Sequence, residues 1–159
     1  MSDSHPSPSL PCPMNRRRWL RVMGGSASAL VFTRLLPGCQ PPTGSPPSGP
    51  VGGIKMADLK QNSLVILSSN VAVGWDSGGV YGMSAVCTHA GCILDDGAQT
   101  IAAGLSCPCH GSTFDGNGKV THGPARTALQ HYQVTIASDG SITIDGSKPV
   151  AADARTAAA

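Results

Sequence analysis

Charged side chains make up only 13% of this 159-residue chain, and aromatic ones only 4%. A helical bundle or coiled coil needs long runs of Ala, Glu, Lys and Leu without breakers, and 20 glycines and 13 prolines interrupt any such run. Large basic patches interleaved with aromatics are missing, which excludes nucleic acid as a partner. No Ser-His-Asp order, phosphate loop or H-E-x-x-H occurs, and Asp95 and Asp96 read as a solvated turn before Gly97. The chain supplies no acid–base machinery of its own. What remains is the length of one ordinary domain with tails, in a composition that suits a loop-rich β fold.

The formal charge of +2 hides an asymmetry. Before Gln40 stand five arginines against Asp3, a balance of +4. From Gln40 onward six basic residues face eight acidic ones, a balance of −2. The basic part begins with a Ser/Pro-rich stretch, residues 1–13, whose composition is that of a disordered leader. Met14 opens a more conventional leader, so translation from Met1 or from Met14 is open, as is the role of Cys12.

Arg16-Arg17-Arg18-Trp19-Leu20-Arg21, within residues 14–39, resembles a twin-arginine export signal, and a mostly apolar run at 22–36 follows. As a helix at ~1.5 Å per residue, 15 residues reach ~22 Å, short of the ~30 Å hydrocarbon core. Arg34 shortens the usable run further. A cleaved signal is therefore favoured over a membrane span. Leu36-Pro37-Gly38-Cys39 resembles a lipoprotein processing site, which makes Cys39 a candidate for lipidation. The Pro/Gly/Ser-rich residues 40–53 would then serve as a linker. The expected location is the periplasm or the outer face of the cytoplasmic membrane.

From Ile54 the pattern changes to short β-type runs separated by turn signals. Strands are expected at 64–67, 71–75, 80–86, 100–106, 129–137 and 141–145. Asp76-Ser77-Gly78-Gly79, Asp115-Gly116-Asn117-Gly118 and Asp139-Gly140 mark turns, and the last is a hairpin signal. Trp75, Tyr81 and Tyr132 read as core aromatics. His122 and His131 read as surface or turn histidines, and residues 148–159 as a loose tail.

Two loops carry the chemistry. The first is Cys87-Thr88-His89-Ala90-Gly91-Cys92. The second is Cys107-Pro108-Cys109-His110-Gly111-Ser112-Thr113-Phe114, with Gly123-Pro124-Ala125 downstream. Thiolates and imidazoles on two loops suit a soft or borderline metal: zinc, copper or an iron–sulfur cluster. A four-ligand zinc site would leave two of these cysteines over. Glycines in both loops let backbone approach a cluster and aim amides at sulfur.

Together the two boxes resemble those of the Rieske [2Fe–2S] family, over about residues 54–147. The resemblance implies an all-β fold, an antiparallel β sandwich with a small cluster-binding subdomain formed by two loops. It implies a [2Fe–2S] cluster with Cys87 and Cys107 on one iron and His89 and His110 on the other. It also implies a Cys92–Cys109 disulfide between the loops, and Ser112, Phe114, Gly91, Gly111, Gly123 and Pro124 around the cluster. Replacing two thiolates by neutral imidazoles removes negative charge, so such centres span ~−150 to +300 mV against ~−400 mV for four-thiolate plant-type ferredoxins.

Two positions depart from the quinol-oxidising branch. Phe114 stands where that branch usually has Tyr, which removes a hydroxyl that bonds a ligand sulfur, and Ala90 stands where it commonly has Leu. The resemblance thus implies a one-electron carrier of intermediate potential, free or as a small subunit. Its partner would be a cytochrome, an oxidoreductase large subunit or quinol. Membrane association would come through the signal anchor or a lipid. A subunit of a quinol-oxidising cytochrome bc complex and a structural zinc domain are the alternatives.

Overall fold

The computed structural model describes residues 43–67, 70–94 and 98–158. The leader, the export signal, Cys12, Cys39 and the Asp95-Asp96-Gly97 turn lie outside the described residues. Ten strands account for nearly all the regular structure: β1 (Pro50–Lys55), β2 (Ser63–Leu67), β3 (Val71–Asp76), β4 (Gly79–Ser84), β5 (Ala98–Thr100), β6 (Leu105–Ser106), β7 (Thr113–Phe114), β8 (Val120–His122), β9 (His131–Ile136) and β10 (Ser141–Val150). One 3₁₀ turn, Met56–Asp58, is the helical element among them. Among the described residues no helix is long and apolar enough to cross a membrane.

Seven strands form one antiparallel sheet in the order β1-β10-β9-β4-β3-β2-β5, and β6-β7-β8 form a second, small sheet. The middle strands explain the layering. Along β3, Val71 and Val73 enter one core cluster while Ala72, between them, enters another. This is the alternation of a strand buried on both faces. Val71 to Gly74 are all buried, as is the whole of β4. One cluster joins Val71, Val73, Val80, Val134, Ile142 and Ile144 within the large sheet. The other holds Leu64, Tyr81 and Met83 together with Cys87, Cys92, Cys107 and Phe114, and so links the large sheet to the loops. Gly74 is opposite Tyr81 across the ladder, and a Cβ there would land on the tyrosine ring.

Turn chemistry sets the registers. Asp76 Oδ1 accepts from the N–H groups of Gly78 (2.8 Å) and Gly79 (3.1 Å), closing the β3–β4 hairpin. The expected hairpin at Asp139-Gly140 forms between β9 and β10, with Gly140 N–H donating to Ala137 O at 2.9 Å.

Four expectations need correction. The run 100–106 is not one strand. Thr100 O accepts from Ala103 N–H, Gly104 takes φ 68°, and the chain turns from β5 on the large sheet to β6 on the small one. The linker ends sooner than expected, because β1 begins at Pro50 and pairs with β10. The tail is not loose: β10 continues to Val150, and Thr156 exchanges two 2.8 Å backbone hydrogen bonds with Val80. Finally, His131 is only 2% exposed. It faces Met83 across the β4–β9 ladder, and cross-strand partners share a face, here the buried one.

Candidate metal centre

The two loops are built alike. Cys87 N–H donates to Cys92 O (2.8 Å), and Cys107 N–H donates to Ser112 O (2.8 Å), so each cysteine opens a six-residue loop. Each loop turns back through a glycine four residues after its cysteine. Gly91 N–H donates to Cys87 O and Gly111 N–H to Cys107 O, with φ of 76° and 77°. A residue with a Cβ is disfavoured in this left-handed region, which is why glycine occupies both places. Paired residues hold each loop at its base, Val86 with Ile93 and Ser106 with Thr113.

This construction separates the thiols from the imidazoles. Cys87 and Cys107 are 2% and 3% exposed, and they are the free cysteines among the described residues. Their side chains lie within hydrogen-bonding reach of each other. His89 and His110 are exposed, and their rings meet edge to face with centroids 4.8 Å apart. Cys92 and Cys109 form the disulfide that joins the loops, with Cα atoms 6.5 Å apart. The sulfurs of Cys92, Cys107 and Cys109 lie within 4.8 Å of one another, but two of the three are committed to the disulfide.

Burial pushes the Cys107 thiol up and the neighbouring Cys87 adds to that rise, while the backbone N–H groups of Cys109 and His110, pointed at its sulfur, pull the other way. A buried thiol that resists ionisation by itself, next to a second buried cysteine, is a donor set a cationic centre would deprotonate. Amides aimed at sulfur stabilise the negative charge that remains. The residues therefore fit a sulfur-and-nitrogen-ligated metal group.

Ser112 is fully buried, and its Oγ accepts from Ala125 N–H at 3.0 Å. Its own hydroxyl proton is left to donate elsewhere. Gly123 and Pro124, joined by a cis peptide bond, are exposed just before Ala125. The segment that follows is tied to the first loop, because Thr88 Oγ1 donates to Thr127 O at 2.7 Å. Phe114 is 2% exposed, in the same core cluster as Cys87, Cys92 and Cys107. His122 is exposed on β8, as expected. Sequence reasoning named Thr88 and Ala125 within the boxes but missed their contacts, and missed Thr127 altogether, because bonds across 39 and 13 residues leave no local pattern.

Residues 50–133, just over half of the chain, match the family model of the Rieske [2Fe-2S] domain, and the chain belongs to that family. It is a Rieske-type electron-transfer protein whose cofactor is a [2Fe–2S] cluster. The cytochrome b6-f complex iron-sulfur subunit of Synechococcus sp. (strain RCC307) is 46% identical over 66 residues, covering 42% of this chain and 36% of that protein. The corresponding subunit of Prochlorococcus marinus (strain AS9601) is 46% identical over 63 residues, covering 38% of this chain and 33% of that one. The chain thus spans about a third of the length of these curated relatives. Among solved structures, the cyanobacterial plasma membrane Rieske protein PetC3 from Synechocystis PCC 6803 is 30% identical. That match has a TM-score of 0.47 and covers 59% of this chain and 97% of that chain.

Proposed function

We propose that Cys87 and Cys107 hold one iron of the cluster and His89 and His110 the other, and that the protein carries single electrons outside the cytoplasm. The observation that carries this reading is the partition of the four side chains into a buried thiol pair and an exposed imidazole pair. When bound, the cluster supplies reversible one-electron chemistry at a potential raised by its two neutral ligands. The chain's residues do the rest. Buried cysteines keep water from the sulfur side, amides of Cys109 and His110 offset negative charge there, and the exposed imidazole edges give a partner its closest approach. The disulfide holds the two loops together, and the Thr88–Thr127 bond ties the first loop to the segment after Ala125.

Export by the twin-arginine route, with Cys39 as a candidate lipid anchor, is supported by the arginine motif and the apolar run that follows it. The Cys92–Cys109 bond agrees with an oxidising compartment. The location we infer is the periplasm or the outer face of the cytoplasmic membrane. The partner would be a cytochrome, an oxidoreductase large subunit or quinol. A second reading, a subunit of a quinol-oxidising cytochrome complex, is favoured by the names of the curated relatives. Affinity purification of the full chain from membranes separates the two. Stable recovery of a b-type cytochrome supports the second reading, and recovery of the chain without one supports the first. Iron and labile-sulfide analysis tests the cluster: zinc in place of iron would overturn both.

A further inference from the structure

The small sheet that carries the second loop has a short hydrogen-bonded ladder, although Leu105 and Phe114 are buried in the core. β7 is two residues long, with two ladder partners on β6 and two on β8. Directly after β7 the chain makes a turn at residues 115–118, and donors from the large sheet converge on it. Tyr81 Oη–H donates to Gly116 O at 2.6 Å, and His131 Nε2–H donates to Asn117 O at 2.9 Å. Burial pushes the Tyr81 phenol up to about 12, so it remains a donor at any ordinary pH. Leu129 N–H donates to Gly118 O at 2.9 Å. The remaining contact comes from the chain's last segment: Arg155 Nη2 donates to Asn117 Oδ1 at 2.8 Å.

Arg155 is itself fixed on every side. Its Nε–H donates to Asp76 Oδ2 at 2.8 Å, and Nη1 donates to the carbonyls of Ala152 (2.9 Å) and Ala154 (3.0 Å). Its guanidinium carbon sits 4.1 Å from the centroid of the Tyr81 ring. These bonds use four of the five N–H donors, and its side chain is only 16% exposed. Thr156 locks the next residue, bridging Val80 through its backbone and donating from Oγ1 to Val134 O at 2.8 Å. A surface arginine held only by its charge would show no such set of directional contacts.

We propose that Arg155 is a positioning residue for the second cluster loop, clamping the 115–118 turn to Asp76 and Tyr81 and so fixing β7 and Ser112, which closes the loop that holds Cys107 and His110. The route is short. Ser112 lies three residues before Asp115, its O accepts from Cys107 N–H, and its Oγ accepts from Ala125 N–H. Freeing the turn leaves β7 to its few ladder partners and the buried Phe114 ring, and leaves the second loop tied to the first chiefly through the disulfide. The inference rests on the assignment of Cys107 and His110 as ligands.

The test compares Arg155→Ala, Asn117→Ala, the double variant and Thr156→Val in cluster-loaded protein. Three readouts are taken: the rate of cluster loss to an iron chelator, the width of the EPR lines of the reduced protein, and amide exchange at residues 112–119. Arg155→Ala and Asn117→Ala should each speed cluster loss about tenfold, broaden the lines and loosen those amides. The double variant should be no worse than Arg155→Ala alone, because the contact that Asn117→Ala removes is already lost with Arg155. Arg155→Lys, a cation without the planar fork, should recover less than half of the effect. Thr156→Val lowers stability from the same segment without touching the turn, so it should leave line width and turn exchange unchanged. The proposal is overturned if the two single effects add, or if Thr156→Val matches Arg155→Ala on all three readouts. Should the wild-type chain take up no iron, the functional reading fails instead, and amide exchange alone still decides whether Arg155 holds the turn.

Discussion

Gly91 and Gly111 hold the same left-handed backbone, at φ 76° and 77°, each four residues after a buried cysteine and each donating its N–H to that cysteine's carbonyl. The centre is thus two copies of one loop, brought face to face by the disulfide. Around Gly111 an added Cβ would meet nothing within 4 Å, so a substitution there probes backbone conformation alone. Gly111→Ala is expected to destabilise the protein by about 1–2 kcal/mol in chemical denaturation and to lower its iron content. Gly111→Asn should recover part of both losses, because Asn visits this region more readily. Equal stability of the Ala variant and the wild type would show that the loop can close by another route.

Removing the Ser112 hydroxyl leaves Ala125 N–H buried without its acceptor. Ser112→Ala should cost about 1–3 kcal/mol by the same assay. It should also lower the midpoint potential, because the hydroxyl proton left over by the Ala125 contact is then lost as a donor to the cluster. Potentiometric titration checks the second effect independently of the first.

Phe114 offers the opposite change. It is 2% exposed within the core cluster that contains Cys87, Cys92 and Cys107. A buried phenol there has to find a partner. Phe114→Tyr is expected to raise the midpoint. A bond favouring the reduced form by about 1 kcal/mol corresponds to about 40 mV for one electron. A titration that shows no rise would sink the argument that the missing hydroxyl sets the potential.

The disulfide spans 17 residues, and the chain-entropy estimate for a loop of that order is about 3 kcal/mol. Replacing Cys92 and Cys109 together by Ser should remove about that much stability and speed cluster loss. Thermal melts of the cluster-free and loaded proteins report the two effects separately.

These loops were legible in the sequence for a physical reason: a cluster loop needs its Cys, His and Gly at short fixed spacing, and such spacing survives in one dimension. Strands β2, β3 and β4 were legible through β-rich runs between turn signals. The clamp on the 115–118 turn was not. Arg155 and Asp76 lie 79 residues apart, and Ala-rich composition around Arg155 suggested a loose tail. Residues 100–106 looked like one strand because Thr100 and Ile101 favour β structure, whereas the turn through Ala102, Ala103 and Gly104 sends the chain to a second sheet. His131 was misplaced because its burial depends on Met83, a partner that only the β4–β9 register supplies.

That buried histidine has a consequence in solution. Burial pushes the His131 ring below its usual value, its Nε2–H donates to Asn117 O, and its Nδ1 has no hydrogen-bond partner among the described residues. The folded state therefore holds it neutral, while the unfolded chain takes up a proton near pH 6.5. The unfolded state binds more protons below that point, so stability present above about pH 6.5 is lost as the pH falls, by up to about 1.4 kcal/mol per pH unit until the folded value is reached. His131→Gln, which keeps a donor for Asn117 O but does not titrate, should flatten the difference. Denaturation curves of both proteins between pH 7.5 and about 5 would show it. Parallel curves would mean His131 is solvated or charged in the fold.

Pulsed EPR of the reduced, reconstituted protein tests the mixed cysteine and histidine ligand set. Two irons and two labile sulfides per chain are expected, with hyperfine coupling to two imidazole nitrogens. One coupling should disappear in His89→Ser and one in His110→Ser, while Cys87→Ser and Cys107→Ser take up no cluster. Zinc in place of iron, or a reduced cluster without nitrogen coupling, would contradict it.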